Sequence, residues 1–398
     1  MTVHDEAVAI ADDLRQLRRE IHREPEVGLD LPKTQCKVLA ALDGLPLEVT
    51  VGRGLSSVTA VLRGGRPGRT VLLRGDMDAL PLAERTGLDF SSLVDGAAHA
   101  CGHDLHTAML AGAARLLAAR QSALAGNVIF MFQPGEESGG GAKLMIDEGV
   151  LDAAGERPAA AYALHVVSSL LPAGICATKP GQLMAACDVL HVTVRGRGGH
   201  GSQPHDASDP IPAACAMVTG LQTMVTSLFD VFDPVIVTVC SFHAGSTSNV
   251  IPDEARFVAT VRSFSAASRD RLKASTVRLV TEIAAAHGVR ADADYADGYP
   301  VTVNEPGETA FAEQTAISLF GGARFIGMPN PVTASEDFSF VLNQVPGAYL
   351  MMGACPADAD PATAPFNHAA DAVFDDSVLA DGAALLAELA IRRLAAED

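Results

Sequence analysis

The chain has 398 residues and a formal net charge of −19, a length beyond one ordinary core and suited to two domains. The acidic balance excludes a nucleic-acid binder, which needs a basic surface, and an anionic membrane as partner. No apolar run approaches the roughly 18 residues of a membrane span. The first six residues carry no signal-peptide pattern, and seven scattered cysteines (Cys36, Cys101, Cys176, Cys187, Cys215, Cys240, Cys355) suit a reducing cytoplasm better than a disulfide framework.

In chain order, residues 5–20 predict an amphipathic helix, with apolar positions at Val8, Ile10, Leu14 and Leu17 continuing to Ile21. A short helix over 34–42 follows. Residues 57–62 and 70–74 read as strands joined by the turn Gly64-Gly65-Arg66-Pro67-Gly68. Residues 105–119 predict an Ala/Leu helix with Asp104 as its N-cap. Residues 127–132 and 161–166 are short apolar runs, as expected of strands buried on both faces. Beyond residue 188 the texture changes. Strand 189–195, helix 211–228, strands 235–242 and 256–262, helix 269–287 and a strand ending near Tyr295 suggest a small α+β unit. Residues 311–320 and a final helix over 377–395 return to the first texture. The expected fold is α/β, a mostly parallel sheet with helices on both faces. The domain boundaries are 1–187 and 298–398 for the larger domain and 188–297 for an inserted α+β unit.

In a parallel sheet, ligands gather beyond the carboxyl ends of the strands. Asp76 and Asp78 follow Val71-Leu72-Leu73, Glu136 and Glu137 follow Val128-Ile129-Phe130-Met131-Phe132, and His165 ends Ala161-Tyr162-Ala163-Leu164. Three strand ends thus deliver polar groups to one edge. Cys101-Gly102-His103-Asp104 adds a thiol and an imidazole, with His99 and His106 nearby. Thiolate, imidazole and carboxylate together suit a borderline divalent metal. Of two adjacent carboxylates, one can bind the metal while the other moves a proton. Taken singly these residues have plainer readings: a buried thiol, a solvated acidic turn, a structural histidine for His165 or His368. Asp78 suits a role behind the ligands, accepting the spare N–H of a ligand histidine. Gly196-Arg-Gly-Gly-His-Gly201 formally matches a dinucleotide fingerprint, but Pro204, Pro210 and Pro212 forbid the helix it requires.

In sequence order these segments resemble the M20 metallopeptidase family, in its branch of hippurate hydrolases, N-acyl-amino-acid amidohydrolases and auxin-conjugate hydrolases. The resemblance rests on Leu17-Arg-Arg-Glu-Ile-His22-Arg-Glu-Pro-Glu26, Arg74-Gly-Asp-Met-Asp-Ala-Leu-Pro81 and His99-Ala-Cys-Gly-His-Asp-Leu-His106. It continues through Gln133-Pro-Gly-Glu-Glu-Ser-Gly-Gly-Gly-Ala142, Gly199-His-Gly-Ser-Gln-Pro-His205, Ser248-Asn-Val-Ile-Pro252 and Ser335-Glu-Asp-Phe338. It implies two divalent metal ions per subunit (zinc, manganese, cobalt or nickel), held by Cys101, His103, Glu137, His165 and His368. It implies Glu136 as general base, an oxyanion donor in His200, and Asn249 and Arg262 near the substrate carboxylate. The inserted domain is implied to mediate a homodimer, with His200 acting across it. The expected reaction is hydrolysis of an N-acyl-amino acid to a carboxylate and a free amino acid. Asp76 stands where peptidase branches carry a ligand histidine, which favours the amidohydrolase branch. The alternatives are a dipeptidase or aminopeptidase of the same fold, a cysteine-nucleophile amidase using Cys101, and a non-catalytic binding protein.

Overall fold

The computed structural model describes residues 1–396. It divides into two compact units: the first is Met1–Leu183, Val303–Asn330 and the chain from Asp337 onward, the second Met184–Thr302 with Pro331–Glu336.

The first unit opens with α1 (Val3–Ala9), α2 (Ala11–Arg23) and α3 (Pro32–Leu42). The single helix expected over 5–20 is two, because the chain leaves helical geometry at Ile10, whose ψ is 7°. Strands β1 (Leu47–Val51), β2 (Val58–Arg63) and β3 (Arg66–Asp76) precede α4 (His103–Ala118) and β4 (Ala125–Gln133). Helix α5 (Gly141–Asp147) leads to β5 (Ala160–Pro172), β6 (Cys176–Thr178) and β7 (Gly181–Met184).

In the second unit, β8 (Ala186–Arg195), β9 (Gly199–His200), α6 (Pro210–Leu228), β10 (Val235–Ala244), β11 (Val250–Ile251), β12 (Glu254–Ser263), α7 (Ala266–Ala286) and β13 (Arg290–Tyr299) follow. The chain ends through β14 (Thr302–Asn304), α8 (Pro306–Phe320), β15 (Phe325–Gly327), α9 (Ser339–Leu342), β16 (Gly347–Cys355) and α10 (Leu379–Ala395).

The large sheet runs β1-β2-β4-β3-β5-β16-β6-β15, and the pairs β4-β3, β3-β5, β5-β16 and β6-β15 are parallel. Strands β2 and β3 are therefore not neighbours: β4 lies between them, antiparallel to β2 and parallel to β3. Val71 and Leu73, Val128 and Phe130, and Tyr162 and Leu164 pack in one core with α4 and α10, while Leu72, Ile129, Met131, Ala161 and Ala163 are buried too. Both faces of the central strands are covered, which explains their unbroken apolar runs. Gly112 of α4 lets that helix lie close against α10; a Cβ there would stand 2.9 Å from that of Ala383.

The second unit is a four-stranded antiparallel sheet, β10-β12-β8-β13, with its own core of Leu190, Val192, Val194, Phe257, Ala259 and Val261. Helices α6 and α7 contribute Met217, Leu221 and Met224, and Leu272 and Val280, to that core. The 19-residue α6 meets the length and composition of a membrane span, contrary to the expectation that no segment would. Its Ala213, Ala214, Met217, Leu221 and Met224 recur at helical spacing and are buried on the sheet.

Candidate metal centre

Gly102 sets the geometry between Cys101 and His103. It has a φ of +86° and a Cβ there would stand 2.4 Å from Val166 Cγ2, so glycine alone fits both the conformation and the space. Gly102 is also the N-cap of α4, the place expected for Asp104. Asp104 falls in the first turn instead, where its buried carboxylate accepts from Arg18 Nε at 2.6 Å and His22 Nδ1 at 2.8 Å. Those cations overcome the effect of burial and hold Asp104 far below the usual carboxylate range.

The backbone decides which nitrogen each histidine presents. His103 Nδ1 lies 2.8 Å from the Asp78 carbonyl oxygen, and His165 Nδ1 lies 2.7 Å from that of Val166. A carbonyl only accepts, so both Nδ1 atoms carry protons and both Nε2 atoms are turned toward Cys101 and Glu137 as potential ligands. His165 Nε2 is 3.3 Å from Cys101 Sγ. His103 Nε2 is buried and has no hydrogen-bond partner among the described residues; it stands 3.7 Å from Asp76 Oδ2 and 3.9 Å from Glu137 Oε1. On the other side, His368 Nε2 approaches the same oxygen at 3.1 Å.

Ligand atoms of Cys101, His103 and His165 lie within 4.8 Å of one another, and so do those of Cys101, Glu137 and His368. Cys101 belongs to both groups. An orphaned buried nitrogen beside a thiol, a carboxylate and two further imidazoles is a donor set that fits a divalent cation. Glu136, His103 and Glu137 form a third such group, so the buried Glu136 stands beside the donors.

The electrostatics accord with this reading. Burial pushes the Cys101 thiol up to about 12 and His165 down to about 3. Burial also presses His103 down, but Asp76 and Cys101 outweigh it and hold the ring well above its ordinary value. Burial raises Glu137, yet His368 and His103 outweigh it and keep it ionised. A cation entering this site must displace protons.

Asp78 stands behind His103 with both its carbonyl, 2.8 Å from Nδ1, and its carboxylate, 3.5 Å from the same nitrogen. The carboxylate also accepts the backbone N–H groups of Glu136 at 2.9 Å and Glu137 at 3.0 Å. It therefore shapes the turn that presents both glutamates. His165, expected at a strand end, lies inside β5, just beyond the point where pairing with β3 stops at Ala163.

The three histidines around Cys101 separate cleanly. His106 spends Nδ1 on Asp76 at 2.5 Å and accepts the Val166 N–H on Nε2 at 2.8 Å, so it has no lone pair to offer. His99 is buried, is pushed down to about 3 mainly by burial, and belongs to none of the ligand groups. His103 alone of the three points an available nitrogen at the cluster. His368 has a φ of +73°, one of two non-glycine residues with positive φ among those described. Such strain costs on the order of 1–3 kcal/mol and concentrates at functional sites.

His200, Asn249 and Arg262 lie in the second unit. His200 on β9 pairs with Val250 on β11 and is exposed. Its Nδ1 accepts from the Ser202 N–H at 3.2 Å, which leaves the proton on Nε2. Asn249 Oδ1 accepts from the Thr247 hydroxyl at 2.8 Å, and Arg262 on β12 reaches Ser335 Oγ at 3.4 Å. Two residues of the first unit escaped the sequence reading. Asp337, in the Ser335-Glu-Asp-Phe338 run, accepts from Arg74, Gln133 and the Ala142 N–H. Asn367 stands beside His368, and adjacency to a candidate ligand was its only signal.

A thiol, imidazoles and carboxylates gathered beside a buried carboxylate, at the ends of parallel strands, are the equipment of a metal-dependent hydrolase. The model of peptidase family M20/M25/M40 matches residues 72–392, and the chain belongs to that family. It is 36% identical over 387 residues to thermostable carboxypeptidase 1 of Saccharolobus solfataricus, covering 96% of each chain. It is 35% identical to IAA-amino acid hydrolase ILR1-like 5 of Arabidopsis thaliana, over 95% of this chain and 86% of that one. The crystal structure of the Bacillus subtilis YXEP protein, a dinuclear metal-binding peptidase of family M20, superposes with a TM-score of 0.84 at 30% identity, covering 98% of this chain and 99% of that one. The protein is an enzyme, a hydrolase of amide bonds.

Proposed function

We propose that this enzyme hydrolyses the amide of an N-acyl-amino acid, using two divalent cations held by Cys101, His103, Glu137, His165 and His368. The observation that carries the reading is the pair of ligand groups sharing Cys101 beside the buried Glu136. A carboxypeptidase and an IAA-amino acid hydrolase, the activities for which two relatives are named, both release an amino acid with a free carboxylate. That shared leaving group is the substrate feature we assign to this chain.

Bound cations supply Lewis acidity, polarising the scissile carbonyl and lowering the pKa of water. Glu136 takes the proton from water and passes it to the leaving nitrogen. Asp78 holds the backbone of that glutamate and its neighbour. His200, with its proton on Nε2, donates to the developing oxyanion. Arg262 and Asn249 receive the substrate carboxylate, where a guanidinium offsets the acidic surface. The inserted unit, residues 188–297, serves as the dimerisation domain, so that His200 serves the partner's site. The enzyme works in the cytoplasm, and zinc, manganese, cobalt and nickel all suit the mixed ligands. A cysteine nucleophile fits less well, since activation requires a lowered thiol pKa and the surroundings of Cys101 raise it.

The test is a panel of N-acyl-amino acids, free and esterified, assayed after chelation and after reconstitution with each metal. Glu136→Gln should keep its metal and lose turnover by roughly 10²–10⁴-fold. Activity that survives chelation, or an undiminished Glu136→Gln, would sink the proposal.

A further inference from the structure

We propose that Asn367 is a positioning residue of the metal centre, locking the Cys101, His165 and His368 segments into one geometry. The inference rests on the reading of those three residues as ligands. Asn367 is 8% exposed, and its carboxamide spends its hydrogen bonds on those segments. Nδ2 donates to the Cys101 carbonyl at 3.1 Å and to the Val166 carbonyl at 3.0 Å. Oδ1 accepts from the Ser168 N–H at 3.0 Å, with the Ser168 hydroxyl 3.1 Å away. That hydroxyl also donates to the Pro365 carbonyl at 2.8 Å, tying β5 to the loop that carries Asn367.

The orientation of this amide is not a matter of choice. Two carbonyls on one side demand the NH₂ group and a backbone N–H on the other demands the oxygen, so the flipped amide would break three bonds. The carboxamide thus touches the backbone of Cys101, Val166 and Ser168, and the Val166 carbonyl it holds is the one that His165 Nδ1 meets at 2.7 Å. His368 is the next residue along, with its own N–H bonded to the Ala100 carbonyl at 2.8 Å.

The need for such a clamp follows from the state of His368. Its side chain is 54% exposed and its backbone is left-handed, so packing does not hold the ring. Backbone anchorage must do so. Partners behind the ligands set ligand direction, and their loss commonly weakens metal binding without unfolding the protein.

The experiment uses the full-length chain stripped of metal. Zn²⁺ affinity is measured against a chromophoric chelator, and Co²⁺ loading is followed through the thiolate charge-transfer absorption. Asn367→Asp keeps the shape but turns an acceptor toward two carbonyls. It should bind Zn²⁺ roughly 10–100-fold more weakly and show a diminished Co²⁺–thiolate band, while the apo chain still unfolds cooperatively in urea, at a lower midpoint. A Zn²⁺ affinity within about threefold of wild type overturns the proposal. So does loss of cooperative unfolding in the apo variant, which would make Asn367 a residue of the fold and not of the centre. The ligand reading fails separately, if wild type binds no Zn²⁺ or if Cys101→Ser binds it equally well.

Discussion

Behind Cys101 and His103 lies a chain of charges, Arg18, Asp104, His22 and Glu84, that ties α2 to the start of α4. Glu84 accepts from His22, from Thr86 and from the Ser92 N–H at 2.7 Å. Burial alone would raise it, but these donors prevail and lower it from 4.5 to about 2. The sign follows from linkage: a depressed carboxyl contributes stability that is complete above its unfolded value and is lost as pH falls through the folded one. Glu84→Gln should therefore destabilise the protein at neutral pH by an amount that shrinks between pH 4.5 and about 2. Urea midpoints of the two proteins across that range check it, and a constant gap would contradict it. His22 runs the other way. Burial lowers it, but Asp104 and Glu84 raise it overall, so its contribution is complete below 6.5 and fades as pH rises through the folded value.

At this scale the sequence displayed residue types but not the atoms they use. Cys101, His103, Glu136 and Glu137 were legible because a mixed donor set at strand ends is rare without a purpose. Nothing local told His103 from His106, since the difference lies in whether Asp76 and the Val166 N–H have already taken both nitrogens. Asp78 was legible as a supporting residue but not as a backbone acceptor. Asn367 was invisible, because each of its partners is distant in sequence from it or ordinary in type.

Between elements, Asp337 and Arg74 form a buried joint. Both side chains are fully buried, at 3.0 Å, and the guanidinium also holds Gln133 at the end of β4 and Asp76 at the end of β3. Asp337 further accepts the Ala142 N–H at 2.9 Å in the first turn of α5. One carboxylate thus fixes both ends of the turn bearing Glu136 and Glu137. Removing one partner of a buried pair typically costs about 3–5 kcal/mol. We expect that loss in Asp337→Ala and a smaller one in Asp337→Asn, whose amide oxygen still accepts; equilibrium denaturation giving under about 1 kcal/mol for Asp337→Ala would refute the role. Most elements could be foreseen from apolar periodicity. The exceptions share a tertiary cause. The turn at Gly64 and Gly65 looked like a strand connection, and it is one, but β4 arrives later and inserts between the two strands it joins.

For the whole molecule, the proposal that His200 acts across a dimer has a direct test. Glu136→Gln and His200→Ala chains, each inactive alone, should regain roughly a quarter of wild-type activity when mixed, since half the dimers are hybrid and each has one intact site. Mixtures as inactive as their parents would place His200 in its own subunit's site, and a fully active His200→Ala parent would remove it from catalysis. The change in strand character near residue 188 lies close to Met184, where the second unit begins. The return of residues 331–336 to the second unit was not, because its tie is a bridge from Met184 to Val332 and two backbone bonds from the Ala185 N–H.

Helix α10 packs on α4 and β3, so the last helix of the chain closes a core begun by the first strands. This has a consequence for biosynthesis. The residues of the second unit are nearly contiguous, and at about 5–20 residues per second they leave the ribosome within tens of seconds, able to fold while the first unit still lacks β16 and α10. Cys101, His103, Glu137 and His165 are made before that stretch and His368 after it. The proposed ligand set is therefore incomplete throughout synthesis of the second unit and is completed only when His368 is made.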